Sequence, residues 1–256
     1  MSKYAVNDAN FQFNVEKYRP GYSFNQMKFK GMIGAVNIQF NLDDYYIRIQ
    51  KLLPSDSILK AEKYHFTDDK KRSLAGEFLK RVLISNSLKT RASDLHFITN
   101  EFNKPSVANL ESIHFNLTHS GDWVVIAIDD QPVGIDIEKI QPKIPDVEKI
   151  AFTQEEIQQI YQIESQQVTN RFFKQWTRKE SYIKALGIGF SASLDKISIL
   201  ELSNGEIQIV TDDYDKTWII RDLIFDSGYS LSVCSKKKLV DNVVRFDFSY
   251  LVDNYL

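Results

Sequence analysis

The stretch Phe172–Lys184, FFKQWTRKESYIK, contains no helix breaker and a dense helical pattern. On a period of 3.6 residues, Trp176, Glu180 and Lys184 fall four positions apart along one row. That row sets an indole, a carboxylate and an ammonium where an amphipathic surface helix would carry Leu or Ile. Taken alone, Glu180 and Lys184 could be a solvated i,i+4 pair contributing only a few tenths of a kcal/mol. A second stretch argues for more. Val133–Glu138, VGIDIE, reads as a strand in which Asp136 and Glu138 share one face and Ile135 and Ile137 the other. The two stretches together decide how the rest of the chain is read.

The chain has 256 residues, enough for one large domain or two small ones. A hydrophobic share of 43% and a charged share of 26% describe an ordinary soluble globular protein. The net charge of −2 supplies no basic excess for nucleic acid or an anionic membrane, so neither is expected as a partner. The single cysteine, Cys234, rules out an internal disulfide and a multi-cysteine metal site. It sits in the apolar run YSLSVCS and reads as a small buried hydrophobe. No run of about eighteen apolar residues is present, and the first residues lack the charged-then-apolar pattern of a signal peptide. A cytoplasmic protein is expected.

Working outward, residues 1–31 form an N-terminal extension rich in aromatics and Asn but without a clean period. Phe11 and Phe13 alternate with polar residues there, and Arg19-Pro20-Gly21 suggests a turn. Met32–Phe40 reads as a strand, Ser55–Phe66 as a helix after Pro54, and about Asp69–Ser87 as a second helix. Leu95–Thr99 is a short strand, followed by the turn Asn103-Lys104-Pro105. Three strands follow, Ile113–Thr118, Trp123–Asp129 and Val133–Ile137, joined by short polar turns. Pro142–Pro145 marks a linker. Beyond it, Thr153 and Glu156 form a capping box, and the long helix of about Thr169–Leu186 stops at Gly187 and Gly189. Strands are expected near Ile197–Leu202, Ile207–Val210, Trp218–Phe225 and Tyr229–Cys234, with a further strand in Val243–Tyr250. The fold class is α+β with two similar lobes, 32–142 and 143–235, followed by a C-terminal tail, 236–256.

Two carboxylates as close as Asp136 and Glu138 repel unless a cation or water screens them. Hard oxygen ligands of this kind suit Mg²⁺ or Mn²⁺, although a bare D-x-E is also what a solvated strand end looks like. Gly134 ahead of the pair permits a close backbone approach. Upstream, Phe115-Asn116-Leu117-Thr118-His119-Ser120-Gly121 ends a strand and enters a turn. Its polar side chains could bond nearby backbone, or His119 and the hydroxyls could meet a phosphate.

The segments FNLTHS at 115–120, GIDIE at 134–138 and WTRKESYIK at 176–184 resemble, in order and separation, the three signature blocks of the Sfp-type 4′-phosphopantetheinyl transferases. Thr118 replaces the usual serine while keeping the hydroxyl, and Asn103 stands where a glycine is common. The resemblance runs from Met32 to about Ser235, with Lys104-Pro105 and the Arg72–Arg81 helix in register. It implies two α+β lobes related by a pseudo-twofold, each an antiparallel sheet with a long helix, and an active site at their junction. It also implies transfer of the phosphopantetheine arm of coenzyme A to a serine of an apo acyl or peptidyl carrier protein, with release of 3′,5′-ADP.

On that resemblance, Asp136, Glu138 and Glu180 would hold Mg²⁺, with Mn²⁺ as an alternative. Glu180 would take the serine proton, directly or through a metal-bound water, and Lys184 would contact phosphate oxygens and the leaving group. The coenzyme A pocket falls on Lys60, Arg72, Ser73, Lys104, Thr118, His119 and Lys184, although Lys60 and Arg72 also suit plain helix surface. Lys179 could reach phosphate or solvent, and Trp176 is expected at the lobe interface. The carrier would meet residues 140–152 through Ile144, Val147, Ile150 and Phe152. A monomer is expected, since one chain supplies both lobes. Two other readings use the same residues: a Mg²⁺-dependent nucleotide pyrophosphohydrolase, and a non-catalytic protein that binds coenzyme A or carriers.

Overall fold

A computed structural model describes residues 31–162, 167–239 and 242–255. The Phe11–Phe13 alternation and the Arg19–Gly21 turn lie outside the described residues. The chain opens with strand β1 (Met32–Asn37), then helices α1 (Asp43–Gln50), α2 (Ser55–Glu62) and α3 (Thr67–Leu88). A short hairpin, β2 (Phe97–Thr99) and β3 (Pro105–Val107), leads to β4 (His114–Ser120), β5 (Trp123–Asp129) and β6 (Val133–Lys139). Helices α4 (Glu148–Ala151), α5 (Gln154–Tyr161) and α6 (Val168–Leu186) follow. Then come β7 (Ser198–Glu201), β8 (Ile207–Val210), β9 (Ile219–Asp222), β10 (Tyr229–Ser235), β11 (Val243–Phe246) and α7 (Phe248–Tyr255).

The architecture is α+β, with a four-stranded sheet in the order β11-β1-β5-β4 and a three-stranded sheet in the order β6-β10-β9. Strand β6 follows β5 in sequence but crosses to the second sheet, where Asp136 pairs with Ser232 and Glu138 with Ser230. Strand β11 returns from the tail to the first sheet and runs parallel to β1, Ile33 opposite Val243, while the other strand pairs are antiparallel. Helix α3 covers one face of the first sheet through Leu74, Phe78 and Leu83. The opposite face, Ile33, Ala35, Val125 and Ala127, packs on Ile135, Ile137, Leu231 and Val233 of the second sheet. Helix α6 covers the far side of β6 and β10. The layers therefore run α3, first sheet, second sheet, α6.

Several elements depart from the expected pattern: β3 and α4 lie outside it, and α1 and the tail differ for identifiable reasons. Local propensity does not foresee helix α1, because Tyr45, Tyr46, Ile47 and Ile49 are weak helix formers. It is held by tertiary packing, with the Tyr45 ring edge-on to Phe40 and Phe248. The tail strand ends at Phe246 instead of running to Tyr250, because Asp247 accepts the Tyr250 N–H at 3.0 Å and starts α7. The capping box at Thr153 and Glu156 forms as expected.

The sheets meet along β4 and β6, the edge strand of each. This seam is stitched by side chains of one face of β4. Asn116 Oδ1 accepts the Ile135 N–H at 2.9 Å, Thr118 Oγ1 the Ile137 N–H at a long 3.4 Å, and Ser120 Oγ the Lys139 N–H at 3.0 Å. Period-2 spacing puts 116, 118 and 120 on one side, so three short polar side chains replace a strand's carbonyls. Asn116→Ala leaves the buried Ile135 N–H without its acceptor, and should lower unfolding free energy in urea by about 1–3 kcal/mol. An unchanged urea midpoint would show that the seam contributes nothing.

Candidate active site

Helix α6 lies directly on the backbone of β6. A Cβ added at Gly134 would stand 2.0 Å from the Ser181 carbonyl oxygen and 2.3 Å from the Ala185 nitrogen, so only glycine permits this approach. Gly187, left-handed at φ 74°, terminates the helix. The contact sets the Glu180–Lys184 stripe against the carboxylate face of β6. The Lys184 ammonium pairs with Asp136 and donates to Thr118 Oγ1 at 3.4 Å, while Thr118 donates to Asp136 Oδ1 at 3.0 Å. Ser120 donates to Glu138 Oε2 at 2.8 Å. The β4 hydroxyls that stitch the seam therefore also hold the carboxylates of β6.

All three acids sit where ionisation is disfavoured. Burial raises the Asp136 carboxyl, against the pull of Lys184. Burial and then repulsion from Asp136 raise Glu138 to about 6. Burial first, with Asp136 adding, raises Glu180 while Lys184 opposes. Lys184 is raised, because its ion pair with Asp136, supported by Glu180 and Glu138, outweighs its burial. Among the described residues no three acidic, imidazole or thiol side chains are gathered into a ready-made metal cage, and Lys184 stands among the carboxylates. The donor set nevertheless suits a hard divalent cation: Asp136 Oδ2 is buried with no hydrogen-bond partner, and Glu138 and Glu180 supply further oxygens.

A groove of about 350 Å³ runs beside this cluster, lined by Lys60, Arg72, Ser73, His119, Asn103 and Pro105. Arg72 is partly committed, donating to the Gly121 carbonyl at 2.6 Å and pairing with Asp69 at 2.6 Å. The protein around His119, together with the Arg72 and Lys184 cations, lowers its pKa and keeps the imidazole neutral. A larger hollow of about 650 Å³ adjoins the groove across Glu77 and Lys80; the three carboxylates line neither, and the groove approaches them through Asn116 and His119 on either side of Thr118.

The structure thus brings Thr118, Asp136, Glu138, Glu180 and Lys184 together, with Lys60, Arg72, Ser73 and His119 along the adjoining groove. It places two lysines elsewhere. Lys104 Nζ donates to the carbonyls of Lys184 at 2.6 Å, Ala185 at 2.9 Å and Val133 at 3.3 Å, so its ammonium is turned from the groove to backbone. Lys179 reaches neither phosphate nor solvent, because it forms a buried 2.6 Å ion pair with Glu156. That glutamate also accepts from Gln175 and from the Ile199 and Thr153 N–H groups. The partner is visible in the sequence as the capping-box acid, but its reach across the fold is not. Trp176 stands beside Glu138, where it opposes the rise of that carboxyl, and meets the Phe152 ring edge-on. Of the four apolar anchors expected after β6, Phe152 is core, Ile144 and Val147 are half-buried, and Ile150 is 73% exposed. The stitching role of Asn116 and Ser120 has a signal in the sequence, the alternation N-x-T-x-S, that reads equally well as turn chemistry.

Residues 132–234 match the 4′-phosphopantetheinyl transferase superfamily, and residues 42–131 match the N-terminal region of 4′-phosphopantetheinyl transferases. The chain is 34% identical over 188 residues to the 4′-phosphopantetheinyl transferase Sfp of Bacillus subtilis (strain 168), covering 73% of this chain and 84% of that one. It is 35% identical over 210 residues to the 4′-phosphopantetheinyl transferase psf-1 of Bacillus pumilus, covering 80% and 90%. A holo-(acyl-carrier-protein) synthase from Bacillus anthracis str. Ames superposes with a TM-score of 0.34 at 21% identity, over 41% of this chain and 93% of that one. The two matched regions define a phosphopantetheinyl transferase enzyme. Within that class, the chain belongs to the Sfp-type 4′-phosphopantetheinyl transferase family.

Lys179→Met strips the buried Glu156 of its counter-charge and should lower unfolding free energy by about 3–5 kcal/mol in urea. A loss below about 1 kcal/mol, the worth of an exposed pair, would contradict the buried pairing.

Proposed function

We propose that the protein transfers the 4′-phosphopantetheine arm of coenzyme A to a serine of an apo acyl or peptidyl carrier protein and releases 3′,5′-ADP. The observation that carries this reading is the convergence of Lys184, Thr118, the buried Asp136 carboxyl and the half-buried Glu138 and Glu180 carboxyls beside a cation-lined groove. Coenzyme A carries a pyrophosphate and a 3′-phosphate, and Lys60, Arg72, Ser73 and His119 are the groups along the groove that would bind them. Lys184 and Thr118 would orient the phosphorus bearing the pantetheine arm and hold charge on the departing oxygen. Glu180, raised by burial, suits the role of base for the serine hydroxyl. The serine Oγ–P bond forms, the P–O bond to 3′,5′-ADP breaks, and the serine proton passes to Glu180.

Asp136, Glu138 and Glu180 are the residues that would hold Mg²⁺, or Mn²⁺ in its place. When bound, the ion would supply neutralisation of the pyrophosphate oxygens. The carrier would approach the segment after β6, where Ile150 is exposed. A cytoplasmic monomer with no nucleic-acid or membrane partner completes the reading, and no described helix is long and apolar enough to cross a membrane.

Intact mass of an apo carrier protein incubated with the enzyme, coenzyme A and Mg²⁺ should increase by one phosphopantetheine arm. Glu180→Gln should slow that gain by about 10²–10⁴-fold, the range for loss of a general base, and chelation should abolish it. Coenzyme A cleaved with no carrier present would point to a pyrophosphohydrolase. Coenzyme A bound but never transferred to any carrier would point to a binding protein.

Because Glu138 is raised to about 6, it takes up a proton below that pH and leaves the cation fewer charged oxygens. The Mg²⁺ concentration for half-maximal rate should therefore rise as pH falls through about 6, and Glu138→Gln should weaken that dependence. A flat Mg²⁺ requirement from pH 5 to 8 in the wild type, with about one unit on either side of the transition covered, would exclude Glu138 as a ligand.

A further inference from the structure

The hairpin between β2 and β3 docks on the C-terminal end of α6. A helix leaves its last four carbonyls without internal partners, and they carry the negative end of the macrodipole. Here the partners come from a distant part of the chain. The Lys104 ammonium takes the carbonyls of Lys184 and Ala185, and Asn100 Nδ2 donates to the Gly187 carbonyl at 2.9 Å. The same ammonium reaches the Val133 carbonyl, at the start of the strand that carries Asp136 and Glu138. One charged group thereby ties three segments: the hairpin, the head of β6 and the end of α6. Its aliphatic stem packs on the helix stop as well, since a Cβ at Gly187 would meet Lys104 Cδ at 2.8 Å.

The loop that delivers Lys104 is itself well determined. Asn100 Oδ1 accepts the N–H groups of Phe102 at 3.0 Å and Lys104 at 2.8 Å, the Asn103 N–H returns to the Asn100 carbonyl, and Asn103 takes φ 63°. Thr99, Asn103 and Pro105 of the same hairpin line the groove. One face of the hairpin thus meets whatever fills the groove, and the other holds the backbone of Lys184.

Building on the transferase reading above, we propose that Lys104 is a positioning residue: with Asn100 it caps α6 from the opposite lobe, sets the Lys184 side chain against Asp136, and couples occupancy of the groove to that geometry. A direct phosphate contact by Lys104, which the family resemblance implied, makes the opposite kinetic prediction. Misplacing a reacting group by about 1 Å can cost about 10²-fold in rate. Binding of nucleotide by the groove's other cations would persist.

The test is steady-state transfer to an apo carrier, together with calorimetric titration of coenzyme A, for the full-length wild type, Lys104→Met and Asn100→Ala. Lys104→Met should lower kcat by about 10–100-fold and leave the Kd for coenzyme A within about threefold. Asn100→Ala, which removes a cap but no charge, should lower kcat in the same direction by a smaller factor, and it decides the matter if Lys104→Met fails to fold. A rise in Kd of about tenfold or more with kcat retained, as expected if the ammonium binds phosphate directly, would overturn the proposal. Unchanged kcat in both variants would overturn it too. If the wild type modifies no carrier, the transferase reading fails instead. Amide exchange at residues 186–188 then still decides the cap: faster exchange in Lys104→Met supports it, and equal exchange refutes it.

Discussion

Two sheet edges face each other across the middle of this molecule, and their backbone donors must be satisfied. A buried N–H without an acceptor costs about 1–3 kcal/mol, so the junction of β4 with β6 needs a substitute for a ladder. Asn116, Thr118 and Ser120 provide it with side-chain oxygens. Several features depend on that solution. The sheets stay separate and pack face to face through Val125, Ile135 and Val233 instead of merging. Strand β6 is free to pair with β10. The hydroxyls used for stitching lie beside Asp136 and Glu138, so the seam and the polar cluster are built from the same atoms.

The cluster is electrostatically tense. Three carboxyls raised by burial share a single well-placed ammonium, Lys184, and Asp136 Oδ2 has no hydrogen-bond partner. Protein interiors rarely keep such an arrangement for stability, because desolvating several charges is seldom repaid by their mutual attraction. It is the arrangement expected where polyphosphate and a hard cation add to the balance of charge. The Lys179–Glu156 pair makes the contrast. It is buried more deeply still, but the glutamate meets a full set of donors and so reads as architecture.

The ends of the chain's long elements are held by parts remote in sequence. The tail returns strand β11 to β1 and stacks Phe248 on Phe40 at 4.0 Å, so the first sheet is completed by residues about 210 positions later. Helix α6 ends in a cap built from a hairpin about 80 residues upstream. Both contacts cross between regions that a linear reading assigns to separate parts.

Much of this was legible in the chain itself. Local rules act over a few residues: the period of 3.6 in FFKQWTRKESYIK, the alternation in VGIDIE, the Thr153 capping box and the Gly187 stop all lie within such a span. They place Glu180 and Lys184 on one helical row and Asp136 and Glu138 on one strand face before any fold is known. What local rules cannot supply is which row meets which face, or what a long flexible side chain touches. Lys104 and Lys179 are chemically alike in the sequence, yet one caps a helix and the other neutralises a buried carboxylate. Helix α1 contradicts its own propensities because rings from the tail pack against it. The sequence by itself determined most of the elements, with α1, β3, α4 and the end of the tail excepted, and the chemistry they carry. Only tertiary packing, through the glycine-permitted contact of α6 on β6 and the side-chain seam of β4 with β6, decided which of those groups meet, because long-range contacts are set by shape and burial over the whole chain.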